Sequence, residues 1–107
     1  MEIKIKVKSN GREKIYKRDG YDLTMGTIDD LVEIIDLDKI DNETEVLKMI
    51  IAGYKQIKPL ILDMFPEMTE EEYRSVTTTG LVQTIIATAK AVGESFGFLN
   101  LGNLTRG

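Results

Sequence analysis

Ile3, Ile5 and Val7 alternate with Lys4, Lys6 and Lys8 at the start of the chain. A period of two, apolar on one side and charged on the other, is that of a half-buried strand. Asn10-Gly11 follows, the pair best suited to a tight turn between antiparallel strands. "KIYKRD" then reads as the returning strand, with Ile15 and Tyr16 as its apolar content. Residues 1–19 are expected to form a β-hairpin, and lysines on its outer face discourage edge-to-edge pairing.

Beyond "DGYDLTMG", which reads as a turn, the period lengthens. "TIDDLVEIIDL" predicts a short helix with Thr27 as N-cap, Asp29 and Asp30 in the first turn, and Ile28, Leu31, Ile34 and Ile35 inward. After "DKIDNET", a long helix is expected over Glu43–Met64, capped by Asp41 or Asn42. Its inner stripe is Val46, Ile50, Tyr54, Ile57 and Ile61, widened by Leu47, Ile51 and Leu62. Pro59 removes one main-chain donor inside that span and predicts a kink or break there. Pro66 stops the element, a short helix begins at Thr69, and a last helix runs over roughly Gly80–Ser95. Leu81, Val82, Ile85, Ile86, Ala89 and Val92 form its inner face. The pattern predicts an α+β fold in one domain, 1–107: a hairpin over 1–19, a mostly helical part of about four helices over 27–96, and an apolar tail over 97–107 with freedom to flex.

Composition narrows the chemistry. Hydrophobic residues make up 42% and charged residues 30%, as in ordinary globular proteins. No apolar run approaches the roughly 18 residues of a bilayer span, and the alternating N-terminus does not resemble a signal peptide. No membrane partner is expected, and cytoplasmic residence is the default. The chain has neither Cys nor His, which excludes disulfides, thiol or imidazole catalysis and the usual zinc sites.

The net charge of −4 is unevenly distributed. Residues 1–18 hold seven Lys/Arg against two Glu, a balance of +5, and residues 22–45 hold nine Asp/Glu against Lys39 alone, a balance of −8. Such asymmetry suggests internal neutralisation or head-to-tail self-association. Lys4, Lys6 and Lys8 on one copy and Asp29, Asp30 and Glu33 on another are the candidate residues; a solvated hairpin is the plainer alternative. Overall acidity disfavours duplex DNA as the main partner.

Three clusters invite a chemical reading. Glu70, Glu71 and Glu72 are consecutive, but helical neighbours diverge by about 100° each, whereas metal ligands must converge. "TEEE" instead matches a capping box, with Thr69 and Glu72 as reciprocal caps. "DLDKIDNETE" fails as a calcium loop, because Asp41 stands where Gly is required and Leu47 where the bidentate Glu belongs. Thr77–Gly80 lacks a neighbouring base for a hydroxyl nucleophile and reads as a helix N-cap. No phosphate loop, metal site or cofactor site is expected. The late residues Phe96, Phe98, Leu99, Leu101 and Leu104 leave two readings open. Phe96 and Phe98 fold back onto the core, or the segment is kept for a partner.

The order of parts, "EIKIKVKSNGREKIYK", a short helix, a long helix ending "IKPLILDMF", then "FPEMTEEEYRSVTTTGLVQTIIATAKAV", resembles the small tail assembly chaperones of long-tailed (siphovirus-type) bacteriophages and related prophages. The resemblance implies a non-enzymatic protein of the host cytoplasm. Such proteins coat and solubilise the tape measure protein, help recruit tail tube subunits, and are absent from the mature virion. Family members are often also made as a longer frameshifted fusion, and a chain ending "LTRG" suits the short form. On this resemblance Phe96, Phe98, Leu99, Leu101 and Leu104 are the partner-binding candidates. The rival is a small nucleic-acid-binding regulator working through the basic hairpin.

Overall fold

The computed structural model describes residues 2–96, with Phe96 placed by its main chain alone. Strands β1 (Glu2–Ser9) and β2 (Arg12–Asp19) form an antiparallel two-stranded sheet. The turn is Asn10-Gly11, with φ of 54° and 77°. Both residues thus sit in the left-handed region, as the tightest hairpin turn requires. A two-residue turn sets the register, which pairs Ile5 with Tyr16 and Lys6 with Ile15. Ile3, Ile5, Val7 and Tyr16 face the core, while Ile15 lies on the outer face and stays 54% exposed.

As the pattern predicts, the fold is α+β, and among the described residues five α-helices follow, one more than the pattern marks out: α1 (Met25–Ile34), α2 (Glu43–Ala52), α3 (Tyr54–Met64), α4 (Glu70–Arg74) and α5 (Thr78–Phe96). The extra one arises because the predicted long helix is two. The break falls at Gly53 and not at Pro59, which sits within α3. A Cβ at Gly53 would meet the Ile34 Cγ2 methyl at 3.0 Å, so α1 packs directly against the bare backbone of this corner. The Gly53 carbonyl accepts from the Gln56 and Ile57 N–H groups and starts the second helix. Redirecting the chain here also turns Ile51 and Tyr54 outward, 62% and 64% exposed, against the inward place expected for them.

The start of α1 also differs from expectation. Thr24, not Thr27, is the N-cap, accepting from the Thr27 N–H at 3.2 Å. Thr27 is buried in the first turn, so Asp29 and Asp30 fall beyond it and gain little from the helix dipole. Asn42 caps α2 and Thr77 caps α5, each accepting an N–H three residues on.

One buried cluster joins the inner face of β1 to Leu31, Ile35, Val46, Leu60, Ile61, Met64, Ile85 and Val92. Helix α5 packs along β1 and α2, and α4 closes over β1. Among the described residues no helix is long and apolar enough to cross a membrane.

Candidate functional site

The stretch Phe65–Val76 joins the helices to the hairpin. Phe65 is buried just after α3, and Pro66 follows it. The Thr69 Oγ1 accepts from the Glu72 N–H at 3.1 Å, and the Glu72 Oε1 accepts from the Thr69 N–H at 3.0 Å. Both halves of the capping box are present. The same Oε1 also accepts from the Tyr16 hydroxyl at 2.7 Å, which anchors α4 to β2.

The three glutamates have separate fates. Glu70 is exposed and pairs with the Lys58 ammonium, Glu71 is exposed, and Glu72 is only 4% exposed. The hydrogen bond from Lys58 lowers the Glu70 pKa. The Thr69 N–H, then the Tyr16 hydroxyl, hold Glu72 below the ordinary glutamate value. Among the described residues no group of three or more His, Cys, Asp or Glu is placed to hold a metal ion. The Asp36 carboxylate accepts from the Asp38 N–H and caps the single turn Leu37–Lys39.

These bonds set a pH dependence. Glu72 is less readily protonated in the folded than in the unfolded chain. Its contribution to stability is therefore present above the unfolded pKa and is lost as pH falls through the folded one. Urea midpoints measured down the acid limb should drop for the wild type, and Glu72→Gln should flatten that limb. An unchanged slope in the variant would show that Glu72 is not the group responsible.

The basic residues divide into two sets. Lys4, Lys6 and Lys8 line a groove of about 640 Å³ together with Ile15 of β2 and Thr79 and Gln83 of α5. Lys4 also meets Glu2 at 3.5 Å, and Lys6 meets Glu13 at 3.1 Å. Lys14 and Arg18 instead lie on the core side of the hairpin. The Lys14 ammonium sits 4.5 Å from the Tyr16 ring centroid, and its contact with Tyr16 raises its pKa. Arg18 donates to the carbonyls of Met64 and Asp22, tying β2 to the end of α3, so it is no part of an outer basic surface.

The acidic candidates lie elsewhere. Asp30 and Glu33 border a groove of about 250 Å³ with Lys55 and Pro59, and Asp29 is exposed on the same helix. The two charged sets therefore occupy different grooves of one copy. Phe98, Leu99, Leu101 and Leu104, and the side chain of Phe96, lie outside the described residues.

Sequence reasoning missed Ser75 and Thr84, whose hydroxyls bond the main chain of β1, at Lys8 and Lys4 respectively. Their partners are more than sixty residues away in sequence, and no local pattern encodes such a contact. No family model, curated protein or solved structure matches the chain.

Proposed function

We propose that this chain is a non-catalytic tail assembly chaperone that binds and solubilises a tape measure protein and helps recruit tail tube subunits. In this reading it acts in the host cytoplasm, is absent from the mature virion, and has neither nucleic acid nor membrane as a partner. The observation that carries the reading is the order and joining of its parts. A basic hairpin precedes the helices, the Thr69–Glu72 capping box seats the "FPEMTEEEYRSV" joint on the hairpin, and α5 leads into the apolar segment from Phe96 to Leu104. Apolar anchors in a late segment suit repeated, reversible capture of a helical client.

Self-association belongs to the same proposal. Lys4, Lys6 and Lys8 of one copy meet Asp29, Asp30 and Glu33 of the next, head to tail. Exposed charge pairs are screened within about 10 Å at 0.1 M salt. Head-to-tail assemblies seen by sedimentation at low salt should therefore shorten as salt is added, and salt-independent lengths would exclude these pairs.

The nucleic-acid reading is the weaker one. Tyr16 is the hairpin's only aromatic residue, and it is buried on Glu72 rather than free to stack on a base. Titration with DNA or RNA at low salt should give no binding. The chaperone reading is tested by mixing the purified chain with a tape measure protein and following co-sedimentation. Separate sedimentation of the two, together with tight salt-dependent binding to nucleic acid, would reverse the preference.

A further inference from the structure

The two edges of the hairpin are treated differently by the fold. Along β1, the Lys8 N–H donates to the Ser75 Oγ at 2.7 Å, and the Lys4 carbonyl accepts from the Thr84 Oγ1 at 2.8 Å. Both main-chain groups point away from β2. In the antiparallel ladder the pairs Lys8–Glu13 and Lys4–Lys17 therefore exchange no main-chain bonds, and Lys6–Ile15 between them shares their phase. It follows that the N–H and C=O groups of Glu13, Ile15 and Lys17 point off the far edge of β2. Helices α4 and α5 lie along β1. Among the described residues no hydrogen bond reaches the main chain of Glu13, Ile15 or Lys17 at that far edge.

We propose that β2 pairs antiparallel with the β2 of a second copy about a two-fold axis at Ile15, joining two hairpins into one four-stranded sheet. The edge is self-complementary in this register. Ile15 faces its own symmetry mate, Glu13 faces the partner's Lys17, and Lys17 faces the partner's Glu13, all on the outer face of the sheet. Each of these pairs exchanges both main-chain bonds, and opposite charges directly across a sheet are favourable. The 54% exposure of Ile15 is an apolar contact that a single copy leaves unused.

The charges also select the register. A shift of two residues one way sets Glu13 against the partner's Asp19, and a larger shift sets Lys17 against its own mate. A one-residue slip sets bonding groups against non-bonding ones. Lysines blunt an edge against indiscriminate pairing, but here Lys17 has a defined acidic counterpart. On the core side Tyr16 faces the partner's Lys14, the residue type already above its ring. Arg12 faces the partner's Arg18 there. That guanidinium is held by the Met64 and Asp22 carbonyls, which limits the repulsion. The proposal is independent of which client the chain serves.

Sedimentation over a concentration series tests it. At a salt concentration that dissolves the head-to-tail assemblies, the wild type should show a reversible equilibrium that closes at the dimer. Glu13→Lys or Lys17→Glu alone puts like charges opposite each other twice per dimer and should raise the dissociation constant about tenfold or more. The double variant Glu13→Lys/Lys17→Glu restores both pairs and should restore the dimer. Ile15→Pro deletes an N–H that β1 does not use, so the hairpin should persist while the dimer is lost. If that variant fails to fold, amide exchange on the wild type decides. The Ile15 and Lys17 N–H groups should become protected as the dimer forms. A wild type that stays monomeric at every concentration, a dimer indifferent to the charge swaps, or edge amides that exchange freely in the dimer would each overturn the proposal.

Discussion

If the proposed function holds, replacing Phe98 and Leu101 together with serine is expected to abolish solubilisation of a tape measure protein while leaving the melting temperature of the chain itself unchanged. Burying a large apolar side chain at an interface is worth about 1.5–3 kcal/mol relative to leaving it exposed. Losing two such anchors, about 3–6 kcal/mol together, weakens binding roughly a hundredfold or more. Among the described residues the buried cluster runs from Ile3 to Val92 across the hairpin and the helices, and the binding reading assigns neither residue to it. Client solubility and the stability of the chain should separate in this variant. If the melting temperature falls along with client binding, the segment belongs to the core and the alternative reading, in which Phe96 and Phe98 fold back, is the correct one. Undiminished co-purification would remove the segment from the binding surface.

Ile85→Ala is expected to have the largest effect on the fold. Ile85 is fully buried on α5, the helix that packs on both β1 and α2. Large-to-small substitution at such a site costs about 2–5 kcal/mol through lost burial and the cavity left behind. Total stability for a domain of this size is on the order of 5–15 kcal/mol. A loss near 3 kcal/mol should lower the melting temperature by roughly 12 °C or more. Gln83→Ala, an exposed change two residues away on the same helix, should cost less than about 0.5 kcal/mol. Equal effects at the two positions would mean that α5 is not packed as described.

The hairpin was readable because its signals are local. Asn10-Gly11 accepts the left-handed turn that other residue pairs resist, and the alternation of Ile3, Ile5 and Val7 with lysine specifies the buried face. The two-residue turn even forces Ile5 opposite Tyr16, so the outward position of Ile15 was available to a stricter reading of the register. The Thr69–Glu72 capping box is equally local and was found as expected. What escaped depends on the tertiary fold. Two threonines, Thr24 and Thr27, both have cap chemistry, and burial of Thr27 decides between them. Pro59 carries the stronger breaking signal, yet the chain turns at Gly53 because Ile34 packs against that corner. The basic surface shrank for the same reason. Arg18 lies on the core side, where it donates to the Met64 carbonyl at the end of α3 and to the Asp22 carbonyl in the turn after β2. The candidate client-binding segment was legible only as composition, a run of large apolar residues spaced by glycine and asparagine.

The central claim is that this chain keeps a long, helix-rich tape measure protein in solution. Co-expression of the two tests it directly, with the fraction of tape measure protein in the cleared lysate as the readout. The account predicts that the client is soluble only when the chain is present and co-purifies with several copies of it. It predicts also that the chain is missing from assembled tails. Equal insolubility of the client with and without the chain, and no co-purification, would contradict it.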